Sequence, residues 1–397
     1  LPETFKTLKA MKRIYYIDWL RILAIVTVFF FHTSHFFDPM YWHVKNPVKS
    51  ESVLLFLGFI NLWIMPLFFF LSGASGVFGA RKPFLSFLKS KTLRLLVPYV
   101  MGVLLLIPPQ KYVEGLSNHT FAGGFFDFLQ TYFSGGMFNY HIGFSVGWIG
   151  IIAYHLWFLG HLFLISLLLF PVLKYLDRKG EFILDRLFKM TSFTGGAVLF
   201  FVPVAIAGIL LKKHFPDYTS WADFTKYAIF FLLGFCFTRH DGLKQSLLKS
   251  RFVALAIGLI LTVMYFGSFA VKETTFGQLF QNNQVYAYYA FQETAGALVT
   301  WCWLIFIVAM GMKYLNRESK YRQPLNEAVL PFYILHQTVL LLIGFVVVQW
   351  DWNSWGKFGF IAVSALFIIY VIYTLVIKPF NFTRFLFGMS RNNRIQF

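Results

Sequence analysis

Cysteine is nearly missing from this chain. Two residues in 397 are too few for a disulfide framework. Charge is scarce too: Asp, Glu, Lys and Arg make up 13% of the sequence, against about 25% in soluble domains. Acidic residues are the scarcer sign, 17 against 35 Lys and Arg, which leaves a net charge of +18. A soluble enzyme does not fit this balance. What fills the chain is apolar: 58% hydrophobic residues and 21% aromatic ones, 52 of them Phe. Disordered and collagen-like chains lack such a composition. A polytopic membrane protein remains.

A membrane-spanning helix needs about 20 mostly apolar residues. On that measure ten helices are expected, at roughly 17–37, 53–79, 93–109, 148–172, 192–211, 226–239, 252–271, 286–310, 328–349 and 357–378. The sixth is short, and the third contains Pro98. The two-residue alternation of an outer-membrane barrel is missing, so the fold class is all-α. The first apolar run has no small-residue cleavage site and carries Asp18, Arg21 and His32. It reads as a retained helix rather than a signal peptide, with Met11 a candidate start. Lys and Arg placement gives the orientation. With a cytoplasmic N-terminus, 26 of the 35 fall on inner segments, eight on outer ones, and Arg21 lies within the first helix. Both termini are then cytoplasmic, as a segment 1–16 and a basic tail 379–397 around a membrane domain 17–378. The partner implied by the positive charge is the bilayer, and no nucleic acid is needed to explain it. The longest outer loop, about 110–147, is rich in Gly and aromatics and holds an Asn118-His119-Thr120 sequon.

Ionisable residues within membrane helices are costly and usually functional. Here they are Asp18, Arg21, His32 and His35 in the first helix, His155 and His161 in the fourth, Glu293 in the eighth and His336 in the ninth. Arg21 and His32 are eleven residues apart, about three turns, so they share a face at an axial separation of roughly 16 Å. Asp18 is three residues before Arg21 and can pair with it. A snorkelling helix-end ion pair and a core histidine are the ordinary readings of each feature alone. Neither explains the shared face. Histidine is suited to moving a proton near neutral pH, as general base or as nucleophile. No metal is expected, because zinc-type His pairs and cysteine clusters are missing. Ser72-Gly73-Ala74-Ser75-Gly76 is not a nucleophile elbow; small residues there suit close helix packing.

Tyr16-Ile17-Asp18-Trp19-Leu20-Arg21 followed by His32 resembles the acyltransferase 3 family of integral-membrane acyltransferases, whose signature is a basic residue, ten residues, then His. Pro66 to Gly73 is similar to its Phe-rich segment ending in Ser-Gly. Lys91-Thr92-Leu93-Arg94 stands for its Arg-x-x-Arg motif, with Lys replacing the first Arg. That keeps the charge but loses a bidentate fork. Leu156-Trp157-Phe158-Leu159 and Tyr333-Ile334-Leu335-His336 resemble two later blocks, although His161 stands where many members have Glu. Trp42-His43-Val44-Lys45-Asn46, and His155 directly before the Leu-Trp block, are closer to the subgroup associated with succinylation of periplasmic glucans.

The resemblance implies transfer of an acyl group, succinyl or acetyl, from a cytosolic acyl-CoA to hydroxyls of an extracytoplasmic glycan at the cell membrane. Lys91, Arg94, Arg21 and Arg81 would hold the donor, and Arg21 and Asp18 would join His32 as the catalytic group. His32 would be general base or acyl carrier. His35, Trp42, His43, Lys45, His155, Trp157, Glu293 and His336 would contact the acceptor or support the imidazole. Two other readings compete: a transporter whose buried His and Glu residues relay protons, and a non-catalytic membrane scaffold. The acyl group, the acceptor and the oligomeric state are not encoded in any of these motifs.

Overall fold

The structure is a computed structural model and describes residues 13–136, 152–282 and 284–391. The described residues form helices and loops without strands. The first segment up to residue 12, the last six residues and the start of the expected fourth span lie outside the described residues.

Among the described residues, seven helical stretches are long and apolar enough to cross a bilayer: Tyr15–Ser34, Ser52–Ala80, Phe84–Ser117, Asp241–Ala270, Tyr286–Tyr314, Arg322–Val347 and Ser354–Ile377. Counting the pair Tyr154–Leu168 and Phe170–Lys179, bent by 49°, as one span makes eight. The expected count of ten is not reached by this measure among the described residues. The fifth expected span is a short apolar helix, Gly196–Leu211. The sixth is Trp221–Arg239, which carries three charged residues in 19, Asp223, Lys226 and Arg239, and packs along the second helix. Exposed Val363, Phe367 and Tyr370 on the last long helix would be penalised in water. A multi-pass membrane protein accounts for them.

The second helix is the axis of the bundle. Trp221–Arg239 lies along it with its backbone in near contact. A Cβ on Gly73 would come 1.7 Å from the Phe231 carbonyl oxygen, and one on Gly234 would come 1.9 Å from that of Phe70. Only glycine permits this approach, and the small-residue run at 72–76 serves it. The first helix packs against the second and against Arg322–Val347.

The third expected span shows how Pro98 acts. In an α register its missing N–H would have bonded the Arg94 carbonyl. The chain instead opens into a π turn, Thr92–Leu96, closed by Val97 N–H to the Thr92 carbonyl five residues back. Helix resumes at Val97–Leu105 and continues as Ile107–Ser117. The outer loop expected from about 110 therefore begins later, because Pro108 and Pro109 fit the first turn of a new helix. Glu114 is thereby held on a helix.

The loop after the first helix folds back over the bundle end. Asn46 N–H donates to the Phe36 carbonyl at 2.8 Å. Lys357, 5% exposed, donates to Asn46 Oδ1 at 3.0 Å and to the Val348 carbonyl at 2.9 Å. This loop carries Trp42, His43 and Lys45.

Candidate active site

Arg21 and His32 line a single cavity of about 340 Å³. Near one end its wall carries Arg21, Lys82, Ser90, Lys91 and Arg94; His32 and His155 line it further along. Phe31, Phe68, Phe158 and Tyr333 give it apolar sides. Arg94 lies within the π turn Thr92–Leu96 and Lys91 directly before it, and π turns are often found at functional sites.

Arg21 is fixed by the second helix. Its guanidinium donates to the Leu71 carbonyl at 3.0 Å and to Ser75 Oγ at 2.5 Å. Its distance to Asp18 is 3.9 Å. The expected Asp18–Arg21 pair is the weakest of the contacts Asp18 makes. Arg322 donates to Asp18 Oδ2 at 2.6 Å and Arg13 at 2.9 Å. Asp18 thus ties the first helix to the ninth expected span. In the sequence no local signal distinguishes Arg322 from the neighbouring cations Lys313, Arg317 and Lys320.

At the other end three imidazoles converge. The His32 and His336 ring centres are 5.1 Å apart, and those of His155 and His336 are 5.0 Å apart. His336 Nδ1 faces the Tyr333 carbonyl at 2.6 Å, and His155 Nε2 faces that of Ile334 at 3.2 Å. A carbonyl can only accept, so both nitrogens carry the proton and fix the tautomer of the neutral ring. His336 Nε2 and His155 Nδ1 are then lone pairs. Both, with His32 Nδ1, are buried without a hydrogen-bond partner. Buried polar atoms are rarely left so, and all three belong to this cluster of rings.

Trp42 is not at an outer surface. It is 8% exposed and lies nearly parallel to His32 and His35, with ring centres 6.1 and 5.5 Å away. His35 Nδ1 lies 2.9 Å from Asp38, which also accepts from Lys45 at 3.0 Å. His43 stacks on Tyr154 at 4.3 Å, with Nδ1 3.2 Å from Glu114. Glu114 accepts from Tyr41 at 2.6 Å and also from the Tyr154 hydroxyl. Glu114 was hidden in the sequence because its region reads as a loop.

Three expected residues stand apart from this cluster. Arg81 lies 3.6 Å from Asp177 and does not line the cavity, whereas Lys82 does. Trp157 lines the wall but lies edge-on to His161, 5.1 Å between ring centres. Glu293 lines a different cavity. His161 has both ring nitrogens facing carbonyls, of Trp157 and Thr219, and serves packing. Among the described residues, one grouping has metal-ligand spacing, Glu181, Asp185 and His240. His240 is already used there, since Nδ1 accepts from Leu243 N–H and Nε2 donates to Asp185.

The arrangement pairs a cationic end with an imidazole-lined interior. The family model described as "Acyltransferase domain" matches residues 14–374, and the chain belongs to that acyltransferase 3 family. It is similar to the glucans biosynthesis protein C of Escherichia coli, 24% identical over 383 residues that cover 90% of each chain. It is also similar to that of Salmonella typhimurium, 24% identical over 351 residues, 84% of this chain and 83% of the relative. No solved structure matches it. The family favours an acyltransferase over a transporter.

Proposed function

We propose that the protein is a membrane O-acyltransferase that moves an acyl group, succinyl or acetyl, from cytosolic acyl-CoA to a hydroxyl of an extracytoplasmic glycan. The observation that carries this reading is the single cavity shared by Arg21, Lys91 and Arg94 with His32 and His155. In it the phosphates of CoA meet Lys91, Arg94 and Lys82, with charge-assisted hydrogen bonds. The pantetheine arm passes Arg21 and presents its thioester to His32. The axial separation of roughly 16 Å suits an extended arm. The Lys and Arg distribution supports a cytoplasmic N-terminus, hence a cytosolic mouth.

His32 then takes the proton of the glycan hydroxyl. The oxygen attacks the thioester carbon, the C–S bond breaks, and the proton passes to the departing CoA sulfur. While His32 is an imidazolium, the lone pairs of His336 Nε2 and His155 Nδ1 can accept from it, the orienting role a carboxylate plays in a Ser-His-Asp triad. No carboxylate is needed beside His32 on this scheme.

The test is acyl transfer by the purified chain, wild type beside His32→Ala, with acetyl-CoA and succinyl-CoA and a glucan acceptor. Acylated glucan from wild type alone is expected. Lys91→Met with Arg94→Met should weaken CoA binding at least tenfold, and unchanged affinity would refute the donor site. A labelled acyl-enzyme that vanishes in His32→Ala would replace the general-base step by an acyl-histidine.

A further inference from the structure

A second cavity, about 880 Å³, lies between the second helix and the helices Trp221–Arg239, Asp241–Ala270 and Tyr286–Tyr314. It begins at Met40 and Glu51, the bundle end that carries His43 and Lys45, and descends past Asn61 to Thr300. From Glu51 to Asn61 the second helix descends about 15 Å.

Two oppositely charged side chains that line this cavity, Lys226 and Glu293, lie within about two turns of the start of their helices and attract each other, but make no hydrogen bond or close ion pair among the described residues. Nearby Lys212 and Asp223 do pair, at 3.5 Å. The Glu293 carboxylate rests against Gly208, where a Cβ would come 2.4 Å from Oε2. Asn61 is also without a side-chain hydrogen bond, and it lines both this cavity and the one holding His32. It stands where the two meet. Tyr265 and Phe266 supply ring faces. Unpaired ionisable groups at membrane depth are costly unless something binds them.

We propose that this second cavity seats the acceptor glycan, an assignment that rests on the acyltransferase reading above. A polyhydroxylated chain offers both donors and acceptors. Its hydroxyls donate to Glu293 and accept from Lys226, its C–H faces lie on Tyr265 and Phe266, and Asn61 hands one hydroxyl across to His32. Aromatic walls with a few fixed polar groups are what small-molecule sites are made of. An anionic lipid headgroup fits less well, because it meets Glu293 as soon as it meets Lys226.

The test uses the full chain in nanodiscs. Glu293→Gln, Lys226→Met and Gly208→Ala, the last displacing the Glu293 carboxylate without removing it, are compared with wild type. The readouts are KM for glucan, glucan binding without donor, and CoA affinity. Each variant is expected to raise the glucan KM and dissociation constant about tenfold at unchanged CoA affinity. Wild-type transfer with an unchanged glucan KM in all three variants would overturn the seat and leave the acyltransferase standing. Glucan binding that the variants lose, in a protein that transfers no acyl group, would keep the seat and remove the reaction. Wild type that neither binds nor acylates glucan would refute both. A co-purified lipid lost from the variants, with glucan KM unchanged, would make the cavity a lipid site and overturn the proposal.

Discussion

Replacing Asp18 should harm the fold more than replacing its tightest partner, Arg322. The two form a 2.6 Å charge-assisted pair whose side chains are 4% and 9% exposed. Their losses are unequal because their other partners differ. Without Arg322, Asp18 keeps Arg13 at 2.9 Å and Arg21 at 3.9 Å. Without Asp18, Arg322 keeps Glu318 at 2.8 Å, a carboxylate 56% exposed, and the Tyr15 ring 4.9 Å from its guanidinium carbon, while Arg13, Arg21 and Arg322 all lose a carboxylate neighbour. Removing one member of a buried pair costs about 3–5 kcal/mol. This pair sits at the end of the bundle, so Asp18→Asn should cost about 3 kcal/mol, the lower bound. Arg322→Gln should cost about 1.5 kcal/mol, the loss of one hydrogen bond to a charged group. The double variant should fall short of the summed cost by about 1 kcal/mol or more, since contacting residues couple. Arg21 retains Leu71 and Ser75, so CoA affinity should drop less than tenfold in Asp18→Asn. Reversible unfolding in mixed micelles measures the three stabilities. Equal single costs, or a costlier Arg322→Gln, would refute the argument that Asp18 is the shared hub.

Gly73→Ala should destabilise by about 3 kcal/mol or more, because the clash is with the Phe231 backbone, which cannot yield as a side chain would. Gly359→Ala, with nothing within 4 Å of the new methyl, should instead stabilise by about 0.5–1 kcal/mol; the same unfolding assay reads both. Burial pushes the Asp38 carboxyl up, but hydrogen bonds from His35 and Lys45 outweigh it and hold the group below its ordinary value. Its folded pKa is thus lower than its unfolded one, so its stabilisation is full above about pH 4 and is lost as pH falls through the folded value. Asp38→Asn should flatten that acid limb of a stability profile. His336→Phe should lower kcat with little change in CoA affinity, by removing a lone pair that faces His32.

Several features could be read from the chain alone. Composition decides membrane class, since a 58% hydrophobic chain with 13% charge has no soluble solution. Helical periodicity puts Arg21 and His32 on one face, and both line one cavity. The order of short motifs decides the family. Helix count was less legible: a hydropathy window does not separate a span from a helix such as Trp221–Arg239, which lies along the second helix inside the bundle. Pro98 weakened a boundary in the sequence, yet in the fold its missing N–H makes the π turn that includes Arg94, which lines the cavity. Contacts between residues far apart in the chain were not legible at all. Arg322 looks like any loop cation until the first helix brings Asp18 to it. Glu114 looks like loop until two prolines start a helix beneath it. Glu293 and His336 are equally conspicuous as membrane ionisables, but packing sets His336 beside His32 and Glu293 in the other cavity. Local sequence determines which residues can carry charge or protons and which helix face they share. Only the packing of helices distant in sequence decides which of those groups meet, because hydrogen bonds and desolvation act over a few ångströms and the spacing along the chain says nothing of that distance.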